Sequence, residues 1–523
     1  MREPVKLLLA AAAFNALSWI ILIPVFQYPD EQAHFAQVQD LAEIGYVPTN
    51  FNDTSLEIQT AEKILGTERD SFGNNKFTYH PQYHLEYSQG FDGSAEFDLK
   101  SMPIDTRTQL VKREATLNPP LYYAVATIPY RLFYSQSLID RIFAVRIFSA
   151  IIFLGMVLLA YKVAKEIFEE NDFLALVLTS LVAAKPMLTF ASTGVLPDAL
   201  TNFLFTFVLF ICLKIIKSGI NLQLLILLVL TITAGILTRQ QFPIAILIAA
   251  LPIAYQILNN WKKIPKPILA VSLIILPTAA LILLEPLRPY ISKIFTEFDP
   301  KQLNLLTSPQ FKEHIIWTAK HTIAEVMPWY WGVYKWLSLT VPNINYQIIN
   351  RLVIVAIIGI VIRFILALKD KKFHTHEIVL LFLIASSAVY FLVFLIWDFF
   401  PRLNYGYSFG IQGRYFFPLV VAHLAIIMAG LWQIAQVVFK KYAKFVILCI
   451  VFLMFLYNDI SLAHVAASYY DTSDFSTFIR EASQYKPQTF KGEIIYIIAA
   501  IAIIAQSFYL AALFKYAQKY QPR

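Results

Sequence analysis

Twelve long apolar runs constrain the fold of this chain more than any other feature of its sequence. About 20 apolar residues are needed for a helix to cross the roughly 30 Å hydrocarbon core of a bilayer. The runs lie near residues 7–26, 140–161, 173–191, 196–216, 221–238, 241–258, 268–286, 347–368, 377–396, 414–438, 443–460 and 492–514. Only 15% of the 523 residues are charged, against about 25% in a typical soluble protein. The sequence therefore predicts an all-α, polytopic integral membrane protein.

Clusters of lysine between the runs predict the orientation of the bundle. The clusters follow every second run and are Lys162/Lys165, Lys214/Lys217, Lys262/Lys263/Lys266, Lys369/Lys371/Lys372, Lys440/Lys441/Lys444 and Lys515/Lys519/Arg523. Such residues accumulate in cytoplasmic loops. If the short run at 119–134 does not cross the membrane, all of these clusters lie in the cytoplasm; if it does cross, all of them lie outside. We therefore interpret 119–134 as an interfacial or re-entrant segment and place both termini in the cytoplasm. The net charge of +8 has the same origin and does not indicate nucleic-acid binding.

This topology divides the chain into eight segments. They are a first transmembrane helix (1–27), a first extracytoplasmic loop (28–118), the interfacial segment (119–134), transmembrane helices two to seven (135–286), a Trp- and Tyr-rich extracytoplasmic loop (287–346), helices eight to eleven (347–460), a third loop (461–491) and the last helix with a cytoplasmic tail (492–523). The first run is longer than a signal-peptide core and no small-x-small cleavage site follows it, which predicts an uncleaved span. Within the first loop, two stretches have a helical pattern, Glu31–Ile44 and Leu56–Leu65.

The stretch YPDEQAHF, Tyr28 to Phe35, follows the first span directly. Pro29 favours a helix start and Asp30 can cap that helix, which brings His34 to the same face as Asp30 and Glu31. A carboxylate here could act as a general base. The Glu-x-x-His spacing could instead hold a divalent cation such as Mg²⁺ or Mn²⁺, with Asp30, Glu31 and His34 as ligands. A capped surface helix without any chemistry is the third interpretation.

Polar residues also recur where other spans reach the same side of the membrane. They are Asp198 in TGVLPDAL, Arg239 and Gln240 in LTRQQFP, Arg402 in PRLNYG, and Gln412, Arg414 and Tyr415 in IQGRYFFPL. Several guanidinium groups on one face suit a phosphate or pyrophosphate, because arginine pairs with such oxygens bidentately. The alternative is that each arginine extends separately towards lipid headgroups.

Two further motifs have both a structural and a functional interpretation. NPPLYY, with Asn118 and Tyr122, closes the first loop and predicts either a rigid hinge or a substrate contact. Lys185 interrupts a span next to Pro186, and a lysine inside a bundle usually has a partner or lines a wet cavity. Glu285, at the end of the seventh run, is a candidate partner.

Three motifs in order carry a family resemblance: PDE-x-x-H after the first span, NPPLYY after a long first loop, and QGRYFFPL in a late span. Together they resemble a family of bacterial polytopic proteins grouped with the GT-C glycosyltransferase superfamily, and the similarity extends to about residue 420. The resemblance implies a GT-C-like bundle of about twelve helices in a bacterial inner membrane. It also implies transfer of a sugar from a polyprenyl phosphate or pyrophosphate on the non-cytoplasmic side, to a glycan, lipid or protein acceptor.

The resemblance also implies roles for individual residues. An acidic residue of the first outer loop serves as general base or helps to hold a metal, which corresponds here to Asp30, with Glu31 second. The late-span arginine that meets the carrier phosphate corresponds to Arg414. Protein mannosyltransferases have a His-Pro-Pro element where this chain has Asn118-Pro119-Pro120.

Together with the residues, the resemblance implies an inverting displacement at the anomeric carbon, with Asp30 as base and with Arg414 and Arg239 stabilising the departing phosphate. The residues expected to bind substrate are His34, Asn118, Tyr122, Lys185, Asp198, Arg239, Gln240, Arg402, Gln412, Arg414 and Tyr415. Two other classes stay open. A surface-polysaccharide polymerase or ligase would usually have its long loop late in the chain. A non-enzymatic transporter of lipid-linked sugars would need charged residues along the midplane of the bundle.

Overall fold

The computed structural model describes residues 3–48, 52–85, 93–114, 118–169, 171–260, 300–371, 373–408 and 410–519. The α-helices in these ranges, in chain order, are α1 (Glu3–Leu22), α2 (Glu31–Glu43), α3 (Leu56–Leu65), α4 (Ser94–Lys100), α5 (Leu121–Leu132), α6 (Leu138–Phe168), α7 (Asp172–Ala183), α8 (Pro186–Thr193), α9 (Asp198–Ser218), α10 (Leu222–Ile236), α11 (Ile244–Asn260), α12 (Pro309–His321), α13 (Met327–Trp331), α14 (Asn343–Lys369), α15 (Thr375–Tyr405), α16 (Val420–Phe439), α17 (Ala443–Tyr469), α18 (Phe475–Ala482) and α19 (Ile494–Lys519).

Helices long and apolar enough to cross a membrane dominate the chain. The described residues contain seven such segments, or eight if α7 and α8, which are bent by 58°, count as one broken span. One of the seven, Gly413–Tyr469, comprises α16 and α17 and the short 3₁₀ turns before each. The predicted all-α, polytopic membrane fold is therefore confirmed. The run at 268–286 and Glu285 lie outside the described residues, and α10 and α11 are apolar but shorter than a span, so the count of about twelve spans stays a prediction.

The sequence sets several helix starts directly. The side chains of Ser55, Ser137, Asn171 and Asn221 each accept a hydrogen bond from a backbone N–H in the first turn of the following helix. Such caps satisfy backbone donors that have no partner within the helix.

Close helix contacts hold the bundle together. The first helix, α1, packs along α19 and against α6, and α6 in turn packs against α7 and α9. Where α14 crosses α16, a Cβ built on Gly359 would lie 2.0 Å from the carbonyl oxygen of Gly430. Only glycine allows two helix backbones to approach so closely.

The first loop folds onto the end of this bundle. The two predicted helical stretches are confirmed as α2 and α3, and strand β1 (Thr54–Ser55) pairs antiparallel with β2 (Leu110–Lys112) to close the loop. The interpretation of α2 as a surface helix is wrong, because every residue from Glu31 to Asp40 is buried. The side-chain amides of Gln32, Gln37 and Gln39 donate to acceptors within the protein.

The segment after the first loop is α5, a helix of 12 residues that packs on α2 and α6. At 1.5 Å per residue it is about 18 Å long, too short for a hydrocarbon core of roughly 30 Å. An interfacial location for 119–134 stays a prediction that this length favours.

Two elements of later segments approach the same end of the bundle. The first is α13, followed by a hairpin of β3 (Val333–Tyr334) and β4 (Leu339–Thr340). The second is a 3₁₀ helix, Gly413–Leu419, which leads into α16. These elements complete the surroundings of the candidate site.

Candidate active site

The candidate site is centred on the Asp30 carboxylate, between α1 and α2. One oxygen, Oδ1, accepts a hydrogen bond from Arg69 Nη1 at 2.7 Å, and Oδ2 lies 3.6 Å from Arg414 Nη2. The prediction that Asp30 caps α2 is wrong in one respect: it occupies the capping position, but its side chain makes no capping hydrogen bond. Its backbone is left-handed, with φ 55°, whereas side chains that cap a helix usually extend from a β-region backbone.

Three guanidinium groups surround this carboxylate, and all are better shielded than it is. The side chain of Asp30 is 37% exposed, whereas those of Arg69, Arg239 and Arg414 are 10%, 14% and 8% exposed. Asp30 is therefore the accessible member of a largely buried charge cluster.

Arg239 contributes to the cluster together with Asp198. Arg239 Nη1 lies 3.5 Å from Asp198 Oδ2, and neither of these two buried atoms has a hydrogen-bond partner among the described residues. Buried polar atoms are normally satisfied. The pair is thus equipped to accept a further polar group, such as a ligand oxygen or a water molecule.

Burial and the neighbouring charges determine the protonation states of Asp30 and His34. Burial alone would raise the pKa of Asp30, but Arg69, Arg414, His34 and Arg239 together bring it below its usual value. Burial, aided by Arg239, lowers the pKa of His34 to about 3, against the opposing effect of Asp30. At neutral pH Asp30 is an anion and His34 is neutral.

His34 is joined to α5 by a short contact. Its Nδ1 lies 2.8 Å from the hydroxyl oxygen of Tyr123, and the two rings stack. Sequence reasoning chose Tyr122, whose hydroxyl instead lies 2.8 Å from Ser149 Oγ within the bundle. The carbonyl of Asn118 accepts a hydrogen bond from the Gln37 amide of α2, which suits the hinge interpretation of NPPLYY.

Glu31 is directed away from this face. Arg146 donates to both of its oxygens, from Nε at 2.8 Å and from Nη2 at 2.6 Å, and the side chains of both residues are fully buried. We therefore revise the interpretation of Glu31 as a second catalytic carboxylate to that of a structural ion pair. Both oxygens of Glu31 are engaged by Arg146, so Glu31 does not face Asp30 and His34 as a third ligand. Within the described part of the chain, no group of three or more His, Cys, Asp or Glu residues is placed to hold a metal ion.

Two residues of the site gave no signal in the sequence. Arg69 joins Asp30 to Glu114, to which it makes both a side-chain ion pair and a hydrogen bond to the backbone carbonyl. Arg69 and Glu114 lie in polar stretches of the first loop, 39 and 84 positions from Asp30, and no motif connects them.

The late-span motif contributes Arg414 through the 3₁₀ helix Gly413–Leu419. Gln412 Oε1 accepts a hydrogen bond from Arg414 Nε at 2.9 Å, and the carbonyl of Tyr415 accepts one from the Tyr390 hydroxyl at 3.0 Å. The structure thus brings Asp30, His34, Asp198, Arg239 and Arg414 together.

Other predicted residues have different surroundings. Lys185 Nζ donates to the Tyr330 carbonyl at 2.7 Å. The Arg402 guanidinium lies 4.7 Å from the centre of the Trp317 ring. Gln240 follows Arg239 in the turn between α10 and α11.

Comparison with known proteins gave one family and several solved structures. The family model described as "Predicted membrane protein (DUF2142)" matches residues 14–423. A comparison with curated proteins gave no significant match.

The similar solved structures include the oligosaccharyltransferase of Archaeoglobus fulgidus in its apo form, with 15% identity and a TM-score of 0.45 over 89% of this chain and 56% of that one. They also include ArnT from Cupriavidus metallidurans bound to undecaprenyl phosphate, with 12% identity and a TM-score of 0.39 over 94% of this chain and 77% of that one. Both kinds of protein belong to the GT-C superfamily that the motifs resemble. The chain spans little more than half of the oligosaccharyltransferase.

Proposed function

The chain belongs to the DUF2142 family of membrane proteins, and on this premise we propose that it is a GT-C-type glycosyltransferase. It moves a sugar from a polyprenyl-phosphate or polyprenyl-pyrophosphate donor to an acceptor hydroxyl on the extracytoplasmic face of a bacterial inner membrane. The observation that carries the proposal is the accessible Asp30 carboxylate within a cluster of three shielded guanidinium groups.

Arg414 and Arg239 bind the phosphate of the donor. Arg414 lies beside Asp30, and the Nη1 of Arg239 has no hydrogen-bond partner among the described residues. Guanidinium groups match phosphate oxygens in geometry and charge. When the donor bond breaks, the same groups stabilise the negative charge that develops on the leaving phosphate.

Asp30 acts as the general base. It takes the proton of the acceptor hydroxyl while the acceptor oxygen forms a bond to the anomeric carbon and the bond from that carbon to the phosphate oxygen breaks with its electron pair. The reaction inverts the anomeric carbon, and the leaving phosphate needs no separate acid. Negative charge passes from Asp30 to the phosphate, so the total charge of the site does not change.

A bound donor also makes Asp30 a better base. In the free protein Arg69 and Arg414 lower the pKa of Asp30 and so weaken its basicity. An anionic phosphate on Arg414 disfavours a second negative charge nearby and raises the proton affinity of Asp30. Neutral His34, held by Tyr123, is suited to orient the acceptor hydroxyl.

The function is tested by incubating the purified protein with a panel of polyprenyl-phosphate and polyprenyl-pyrophosphate sugars and candidate acceptors, with EDTA and with added Mg²⁺ or Mn²⁺. We expect release of the polyprenyl carrier together with a glycosylated acceptor. A panel that gives neither product contradicts the proposal. Reconstituted vesicles in which the lipid-linked sugar crosses the membrane without glycosylation would favour the transporter interpretation.

A further inference from the structure

We propose that Gly413 and Lys185 are positioning residues that fix Arg414 beside Asp30. The proposal rests on the function proposed above, in which Arg414 binds the donor phosphate. Neither residue has to touch the substrate for this role. Both act through the short helix α13, and in particular through Tyr330.

Gly413 lies directly against the backbone of α13. A Cβ built on Gly413 would lie 2.2 Å from Tyr330 N, 2.6 Å from the Trp329 carbonyl carbon and 2.6 Å from Tyr330 Cα. All three are backbone atoms, so no side-chain rotation relieves the overlap. Any larger residue must separate the Arg414 segment from α13.

Further contacts tie the same segment to Tyr330. The Tyr330 ring packs against Phe417, with centroids 5.4 Å apart, and its hydroxyl lies 3.1 Å from Nδ1 of His423. Arg414 therefore lies between Gly413 on one side and Phe417 and His423 on the other, all three in contact with Tyr330.

Lys185 also contacts Tyr330 directly. It lies at the break between α7 and α8 and is fully buried. Its Nζ donates to the Tyr330 carbonyl at 2.7 Å and lies 3.9 Å from the ring centres of both Tyr330 and Trp331. No carboxylate pairs with this ammonium within the described ranges. Its hydrogen bond and its two closest cation–π contacts are with α13, and a third cation–π contact, at 5.4 Å, is with the ring of Phe417 in the Arg414 segment.

The consequence of moving α13 is a misplaced Arg414. The Nη2 of Arg414 lies 3.6 Å from the Asp30 carboxylate. In a catalytic site, a displacement of about 1 Å can lower the reaction rate by up to roughly a hundredfold. We therefore expect Gly413→Ala and Lys185→Met to weaken donor binding, although neither removes a donor-binding group.

The test measures binding of farnesyl phosphate to the purified full-length protein by calorimetry, with thermal unfolding measured in parallel. We expect Gly413→Ala to weaken binding by about 10- to 100-fold, and we expect a comparable loss for Arg414→Gln. The double variant Gly413→Ala/Arg414→Gln should bind no more weakly than Arg414→Gln alone, because the guanidinium group that Gly413 positions is then already absent. Lys185→Met should weaken binding in the same way.

Two other glycines serve as matched controls. A Cβ on Gly155 would lie 3.4 Å from the Phe203 ring, an ordinary contact, so Gly155→Ala should bind farnesyl phosphate as the wild type does. Gly359→Ala meets the Gly430 carbonyl at 2.0 Å and should lower the melting temperature without a selective loss of binding.

The outcomes separate this proposal from the proposed function. Wild-type affinity in both Gly413→Ala and Lys185→Met, with weak binding in Arg414→Gln, overturns the positioning roles alone. Additive losses in the double variant Gly413→Ala/Arg414→Gln overturn the positioning role of Gly413. A wild-type protein that binds farnesyl phosphate no better than Arg414→Gln overturns the phosphate site and the positioning roles together.

Discussion

Asp30 and Glu31 are neighbours in the chain and both are carboxylates, yet their oxygens have different surroundings. Both oxygens of Glu31 accept from Arg146, and the same guanidinium also donates to the carbonyls of Ile20, Ile23 and Pro24 at the end of α1. All five N–H groups of Arg146 are thus used within the protein. Asp30, in contrast, shares its arginines with other groups and stays partly exposed.

The difference indicates a structural role for Glu31 and a chemical role for Asp30. A saturated, fully buried ion pair has no capacity for a ligand, but it fixes the backbone where α1 ends and α2 begins. An accessible carboxylate among incompletely satisfied guanidinium groups can exchange its partners for a substrate. We infer that Glu31 and Arg146 hold in place the turn from which Asp30 reaches the site.

The largest effect expected from this comparison concerns Asp30→Asn. The amide cannot take a proton from the acceptor, and removal of a general base typically costs about 10²- to 10⁴-fold in rate. Folding should change little, because Arg69 keeps its ion pair with Glu114. Transfer rate and melting temperature are measured side by side, and turnover at the wild-type rate would remove Asp30 from the role.

Arg146→Met should mainly affect stability. It leaves Glu31 buried without a counter-charge, which typically costs about 3–5 kcal/mol. Adding Glu31→Gln should restore part of that loss, since the uncompensated charge disappears. Thermal unfolding in detergent measures both variants, and Arg363→Met, which breaks the less buried ion pair with Glu377, is the control with a smaller expected loss. Equal losses in the two arginine variants would contradict the comparison.

Another carboxylate of α2, Asp40, predicts a dependence on pH. Burial, and then Asp53, raises the pKa of Asp40 to about 8, from 3.8 in the unfolded chain. The stability contributed by the protonated form is therefore present in full below pH 3.8 and is lost as the pH rises through about 8. Asp40→Asn stays neutral and should be more stable than the wild type at pH 8 to 9, with a flatter profile. Melting temperatures from pH 5 to 9 test this, and superimposable profiles would reject it.

The smallest effect distinguishes two adjacent tyrosines. Tyr123→Phe removes the hydroxyl that contacts His34 and should lower the transfer rate by an amount equivalent to about 0.5–1.5 kcal/mol, a typical hydrogen bond. Tyr122→Phe removes a contact with Ser149 inside the bundle and should lower stability by a similar amount at an unchanged rate. If Tyr122→Phe instead lowered the transfer rate while Tyr123→Phe lowered only stability, Tyr122 and not Tyr123 would belong to the site.

Sequence reasoning reached the fold and part of the site because both rest on local patterns. Apolar runs predict spans, and polar residues at the same end of several spans, such as Asp198, Arg239 and Arg414, must lie at a similar depth. The roles of Arg69 and Arg146 could not be predicted in this way, because an ion pair between residues far apart in the chain leaves no periodic signal in the sequence. Tyr122 and Tyr123 share a motif, and only the rotation of α5 decides which of them reaches His34.

The left-handed backbone of Asp30 has a consequence for the amino acids that this position can accept. Besides glycine, asparagine and aspartate adopt this conformation most readily, whereas other residues incur a penalty of roughly 1–2 kcal/mol. Glutamate would therefore be a poor exchange even though it carries the same functional group. The geometry of the main chain, as much as acidity, selects aspartate at the start of α2.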